Sequence, residues 1–382
     1  MTYKKVCVVT GSRADYGLLY PILKEIESCQ GLLLQLVATT MHLSDEFGLT
    51  YQQIEKDGFK IDKKINNLSK LDSNSSMAKS SGMATTLLAD CFEKLSPDIV
   101  LLLGDRFETH AAATTALLMK IPIAHIHGGE VTQGAVDEQL RHAITKMSYL
   151  HFCSTDTYRQ RIIQMGEESS KVFNFGAPGI DNIVNVDLLT RNDLNKQLDW
   201  NLPKKFALFT YHPTTLEDSD LNQDLDSIFD TLVKIDIGVL FTYANADFGG
   251  QIINNRIEDF CKIDAKKYKV IKSLGQLRYL SAMKCANLLI GNTSSGIIEA
   301  ASFYKPVINI GNRQLGRLKG INIIDCTIHK LHQSIILALS NDFIIKCQSQ
   351  KNIYGDGVAS KHIIQELIKQ PLSVVKKFID IK

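Results

Sequence analysis

Short, nearly continuous apolar runs recur through this chain, and no other feature limits its fold as strongly. In the first half they cover residues 6–10, 33–39, 99–104, 121–126, 150–153 and 172–175; in the second, residues 206–211, 239–243, 268–271, 288–291, 306–310 and 323–326. A strand with one wet face alternates apolar and polar residues. These runs do not alternate, so both faces of each are expected to be covered. Stretches with helical periodicity separate them. That rhythm predicts an α/β chain with two Rossmann-like, doubly wound domains facing across a cleft. A Gly-x-Pro-Gly cluster in "FNFGAPGIDNI" (residues 173–183) is expected to break regular structure and mark the boundary. The expected division is residues 1–178, residues 179–358, and a terminal segment, 359–382, whose helix "ASKHIIQELIKQ" packs back on the first domain.

Bulk properties remove several function classes. The 382 residues are 45% hydrophobic and 22% charged, which excludes a disordered chain. The formal net charge of +2 offers no field for nucleic acid or an anionic membrane surface. The eight cysteines are scattered without a C-x-x-C pair, so neither structural zinc nor a disulfide framework is expected. The apolar run in "MTYKKVCVVTG" is too short for a secretory signal, and no segment reaches the ~18 apolar residues of a membrane span. A cytoplasmic enzyme is the expectation.

Ligands of open parallel sheets bind beyond the carboxyl ends of the strands, and the ionisable oddities of this sequence fall there. In "VVTGSRADYG" a strand ends at Gly11 and Ser12, and Arg13 and Asp15 precede a helix. Free amides and a guanidinium make an anion site, although Asp15 also suits a helix cap. The stretch matches neither the dinucleotide nor the P-loop glycine pattern. His42, in "ATTMHLSDEF", follows the next strand, where a solvated loop histidine is the simpler reading. "LLLGDRFE" puts Asp105, Arg106 and Glu108 at a strand end, and "IAHIHGGE" puts His127 and Glu130 at another. In "VDEQLRHAITK", Asp137 and Arg141 lie one turn apart on a helix face, either as a surface ion pair or as part of a site. The second reading gathers Asp105, Glu130 and Asp137 on one rim, where neighbouring carboxylates hold an acid and a base together near neutral pH. In the second half His212 precedes Pro213 after a strand. "IGNTSSGIIE" places Asn292, Thr293, Ser294, Ser295 and Gly296 at a helix start suited to a diphosphate without a metal. Glu299 is expected further along that helix, where it can accept two hydrogen bonds from a ribose diol. Arg313 and Arg317 add positive charge nearby.

Taken in order, "GSRADYG", "GDRFE", "HIHGGE", "DEQLRHAITK", "NADFGG" and "GNTSSGIIE" resemble the hydrolysing UDP-N-acetylglucosamine 2-epimerases over almost the whole chain. The resemblance implies a glycosyltransferase-B-like fold with UDP held mostly by the C-terminal domain. It implies anti-elimination of UDP to a 2-acetamidoglucal, then hydration to N-acetylmannosamine for sialic acid biosynthesis. It makes Asp105, Glu130 and Asp137 catalytic carboxylates, and His212 a catalytic histidine that assists the departure of UDP. Arg13 and Arg106 become substrate contacts; Thr293, Ser294 and Glu299 become part of the UDP seat. Asp15, His42, Arg141, Asn245, Asn292, Ser295, Gly296 and Arg313 complete the candidate binding set. No cofactor or metal is implied, and a homodimer or homotetramer is. Leu18 stands where the non-hydrolysing relatives carry lysine, and "HIHGGE" where they carry "HVEAG"; both favour the hydrolysing branch. A sister branch acting on UDP-2,4-diacetamido-2,4,6-trideoxy sugars in legionaminic acid synthesis shares these motifs and is the alternative substrate class. A glycosyltransferase of the same fold and a nucleotide-sugar sensor without turnover are the remaining alternatives.

Overall fold

The computed structural model describes residues 3–68, 74–132, 136–213, 221–244 and 249–380. They form two parallel-sheet α/β units, the first comprising Met1–Val131, Ala135–Asn182 and Gly357–Lys382, the second built on Ile183–Asp356. The strands of the first are β1 (Lys4–Thr10), β2 (Leu32–Thr39), β3 (Lys63–Ile65), β4 (Ile99–Leu103), β5 (Ile123–Ile126), β6 (Leu150–Cys153) and β7 (Val172–Asn174). The second contains β8 (Phe206–Thr210), β9 (Gly238–Thr242), β10 (Tyr268–Ile271), β11 (Leu288–Gly291), β12 (Val307–Ile310) and β13 (Ile323–Cys326).

Every apolar run became a strand, and the central strands have both faces covered, whereas the edge strands β7, β10 and β13 are only partly buried. In β1, Val6 and Val8 pack with Leu19, Ile22 and Leu23 on one face, and Cys7 and Val9 pack with Ala84, Leu88 and Phe92 on the other. In β8 the same alternation sends Ala207 and Phe209 to one core and Phe206 and Leu208 to another. The apolar reading missed β3. It is three residues long at a sheet edge and buries only Ile65, too little to leave a run.

Strand order is what positions the sites. The sheets run β3-β2-β1-β4-β5-β6-β7 and β10-β9-β8-β11-β12-β13, and every pair in them is parallel. In each, the chain turns back past its first strand, so the order reverses between β1 and β4 and again between β8 and β11. Neighbouring connections leave such a switch point in opposite directions and open a crevice above the strand ends.

Pro178 opens the helix Pro178–Asn185 instead of breaking regular structure, its fixed φ suiting the first helical position. The division between the units falls inside that helix. The terminal helix, Ala359–Lys369, belongs to the first unit and packs on the helix Arg13–Ser28. Ile363, Ile364 and Leu367 enter the core there. The buried Asp181 carboxylate accepts the amides of Ala359 (3.1 Å) and Ser360 (2.7 Å), while Lys4 Nζ donates to the Leu367 carbonyl at 2.6 Å. Both ends of the helix are thereby capped. All eight cysteines are free, six of them buried as core residues.

Candidate active site

The first cluster sits at the β1/β4 switch point. Ser12 caps the helix Arg13–Ser28, its Oγ accepting the Asp15 amide at 3.3 Å. The cap is therefore Ser12, and Asp15 lies in the first turn. Gly11 lies so close to Glu108 that any Cβ there would strike the carboxylate. Arg106 Nε donates to Glu108 Oε1 at 2.6 Å, and Glu108, with Asp15 and Asp137 adding to it, holds the guanidinium firmly in its charged form. Burial pushes the Asp15 carboxyl up to about 6, against the pull of Arg106. Asp15 Oδ2 and Glu108 Oε2 are buried without a hydrogen-bond partner among the described residues. Two orphaned carboxylate oxygens at a strand-end crevice are rare in a core and expected where a polar ligand docks.

The second cluster joins β4, β5 and the helix Val136–Met147. Arg141 is only 2% exposed, so it is no surface ion pair. Its guanidinium bonds the Asp105 carboxylate, the Glu130 carbonyl (2.9 Å) and Glu138 Oε2 (3.2 Å). One buried cation thus draws Asp105 and Glu130 together, and Asp137 begins the same helix beside Arg106. Glu130 Oε1 lies 2.5 Å from His127 Nδ1 and accepts Ser154 Oγ at 3.0 Å. His125, on β5, supports the turn from beneath: Nε2 donates to the Gly104 carbonyl at 2.8 Å, and burial depresses its pKa to about 3.

His42 departs from the solvated-loop reading. It is fully buried, with Thr10 Oγ1 at 3.1 Å from Nε2 and Thr50 Oγ1 at 2.8 Å from Nδ1. Burial holds its pKa near 4, so it is a neutral histidine pinning the β1 and β2 ends together. Arg13 stays exposed at the start of its helix.

In the second unit, Asn292 is buried and its side chain is committed. Oδ1 accepts the His212 amide and Nδ2 donates to the His212 carbonyl, both at 2.8 Å. The Asn292 carbonyl accepts Arg313 Nη1 (3.2 Å) and Gln314 Nε2 (2.9 Å). Asn292 is therefore a clamp that sets His212 over the end of β8 and draws Arg313 to the same place. Gly291, at φ +141°, passes so near the Thr210 carbonyl that no side chain fits. Thr293 caps the short helix Ser294–Ile298, accepting the Ser295 amide at 3.3 Å, and Gly296 packs against Val307. That helix stops before Glu299, which caps its C-terminal end and accepts Ser295 Oγ. Burial raises the Glu299 carboxyl to about 7. Tyr279 reaches Ser295 and Thr210 from the neighbouring helix. Asn245 lies outside the described residues.

Asn292→Ala deletes both bonds to His212 under cover. The expected cost is about 1–3 kcal/mol, read as a lower urea midpoint at unchanged slope. An unchanged midpoint would contradict the clamp.

Ser154 and Tyr279 escaped the sequence reading because neither stands in a motif; each is brought in by a neighbouring strand or helix. His127 stood in one, but its backbone conformation, φ +65°, has no signature in sequence. Among the described residues no helix is long and apolar enough to cross a membrane.

Known proteins resemble this chain over most of its length. A family profile described as UDP-N-acetylglucosamine 2-epimerase matches residues 24–368. The GDP/UDP-N,N'-diacetylbacillosamine 2-epimerase (hydrolyzing) of Campylobacter jejuni is 44% identical over 90% of this chain and 89% of its own. The UDP-N,N'-diacetylbacillosamine 2-epimerase (hydrolyzing) of Legionella pneumophila is 36% identical over 97% of each. Among solved structures, the Neisseria meningitidis UDP-GlcNAc 2-epimerase bound to UDP-GlcNAc superposes with a TM-score of 0.79 at 20% identity, covering 96% of this chain and 100% of that one. The chain belongs to the UDP-N-acetylglucosamine 2-epimerase family, among its hydrolysing members.

Proposed function

We propose that this chain is a hydrolysing 2-epimerase of UDP-2,4-diacetamido-2,4,6-trideoxyglucose, yielding UDP and the free manno-configured sugar. The observation that carries the substrate is the 44% identity over 90% of the chain with a relative named for that sugar nucleotide. This favours the sister-branch alternative over UDP-N-acetylglucosamine, which the sequence motifs put first.

In this reading each unit's strand-end cluster carries its own share of the roles. The Ser294 amide and the hydroxyls of Thr293 and Ser294, with Arg313, take the diphosphate, and Glu299 takes the ribose diol. Arg13, Arg106 and Asp15 bind polar groups of the sugar nucleotide beside His42. Departure of UDP develops negative charge on the bridging oxygen, which His212 and Arg313 meet. The C2 proton is weakly acidic, so its removal needs a base held in contact as the C1–O bond weakens. The strand-end rim that holds Asp105, Glu130 and Asp137 is where that base and the acid for the return proton are sought. No electrons leave the sugar, so the chemistry needs no redox cofactor.

The test is incubation with either UDP-sugar in heavy water, followed by proton NMR. UDP release with deuterium at C2 of the diacetamido product, at a kcat/KM at least about tenfold above that for UDP-N-acetylglucosamine, is the expected result. A preference for UDP-N-acetylglucosamine would overturn the substrate, and an inert sugar in both tubes would overturn the activity.

Glu299 gives a pH prediction. Burial holds its folded pKa above the ordinary glutamate value. Its contribution to folding is therefore greatest at low pH and fades as pH rises through about 7. Binding of UDP runs the other way, because the ionised carboxylate is the better acceptor for two hydroxyls. UDP should bind about tenfold tighter at pH 8 than at pH 6, beyond whatever trend the phosphate itself shows in Glu299→Gln. Calorimetric profiles that coincide for wild type and variant would remove Glu299 from the seat.

A further inference from the structure

We infer that His127, oriented by Glu130, is the base that removes the C2 proton, the return proton reaching the opposite face from another group; the inference rests on the epimerase reading above. Three observations point there independently of any motif. His127 Nδ1 and Glu130 Oε1 are 2.5 Å apart, with side chains 9% and 4% exposed. A carboxylate that close accepts a hydrogen bond from Nδ1–H and so leaves the lone pair on Nε2. That Nε2 is buried and has no hydrogen-bond partner among the described residues. Native structures seldom leave a ring nitrogen in that condition unless a ligand completes it.

The third observation is the backbone. His127 adopts φ +65°, the left-handed region that favours glycine, immediately before Gly128 and Gly129. A third glycine would sit there without strain, yet a histidine is held in place by its amide bond to the Phe152 carbonyl at 3.0 Å. Strain kept at one side chain in a strand-end turn marks a residue held for what it does.

The dyad is tied to the rest of the rim. Glu130 also accepts Ser154 Oγ at 3.0 Å, which fixes its carboxylate, and its carbonyl accepts the Arg141 guanidinium that grips Asp105. Glu130 is then a positioning residue. In the forward step Nε2 takes the C2 proton; the C–H electron pair becomes the C1=C2 bond, the C1–O bond breaks, and UDP leaves with that pair. The imidazolium formed is stabilised by Glu130.

The experiment uses His127→Gly, which relaxes the backbone, His127→Asn, which tolerates the same φ, and Glu130→Gln. Each is assayed on the full chain with UDP-2,4-diacetamido-2,4,6-trideoxyglucose, beside wild type. In His127→Gly, kcat should fall about 10²- to 10⁴-fold while UDP affinity stays within about threefold and the melting temperature within a few degrees. Added imidazole should restore at least about tenfold, and the rescued rate should slow when C2 carries deuterium. Glu130→Gln should lower kcat at unchanged KM. Wild-type kcat in both His127 variants, or a dead His127→Gly that binds UDP normally but ignores imidazole, would overturn the assignment. A wild-type enzyme inert on both UDP-sugars would instead bring down the epimerase reading itself, so the two failures are distinguishable.

Discussion

Arg141→Leu is expected to abolish turnover and to remove roughly 3–5 kcal/mol of folding stability, the range for breaking a buried ion pair from one side. The reason lies in what the guanidinium does at 2% exposure. It neutralises Asp105, spans to the Glu130 carbonyl at 2.9 Å and bonds Glu138 at 3.2 Å. Leucine fills much of the volume but leaves two carboxylates beside an apolar surface without their cation. They either take up protons or turn outward, and in both cases the rim loses its geometry. Arg141→Lys should fail nearly as badly, because a point ammonium cannot bridge three acceptors on two elements as a planar fork does. Guanidinium denaturation followed by circular dichroism reads the stability, and UDP release reads the activity. A variant as stable and active as wild type would mean that the three contacts are incidental.

Asp105→Asn should cut turnover by about 100-fold or more while UDP affinity stays within about threefold. The amide is nearly isosteric, and its Oδ1 still accepts from Arg141, so the fold is retained. It has, however, no charge with which to stabilise a cation that develops at the rim. Asp105 keeps 23% of its side chain exposed although it is paired with a buried arginine, which is the posture of a group that meets a ligand. The proposed diphosphate contacts lie in the second unit, around Thr293, Ser294 and Arg313, so calorimetry with UDP should not register the change. Parallel loss of UDP binding and turnover would show that Asp105 shapes the nucleotide seat and would end its assignment to the sugar chemistry.

Several of these residues could be read directly. Runs without alternation at residues 99–104 and 288–291 required strands covered on both faces, and β4 and β11 are buried along their whole length. Charged and hydroxyl groups immediately after them required a reason, and the reason is the crevice at each switch point. Other features left no trace in the one-dimensional pattern. For Arg141 and Asp137 the sequence left a surface pair and a site both open, since helical spacing reports which residues share a face but not what the face meets. His42 looked solvated because it follows a strand, yet Thr10 and Thr50 enclose it. Glu299 was expected inside a helix that stops one residue short of it.

Periodicity by itself determined the element types and the two-unit architecture, because burial of a strand's two faces is written in which of its own residues are apolar. Strand order was decided only in three dimensions. β1 takes β4 as its neighbour across more than eighty residues of intervening chain, a pairing that no local pattern in those residues announces. From this choice follow the gathering of Asp15, Arg106 and Glu108 at one strand end and the joining of Asp105 to Glu130 through a buried arginine at the next. The left-handed backbone of His127 belongs to the same class of fact: no local preference calls for it, and neighbouring strands impose it.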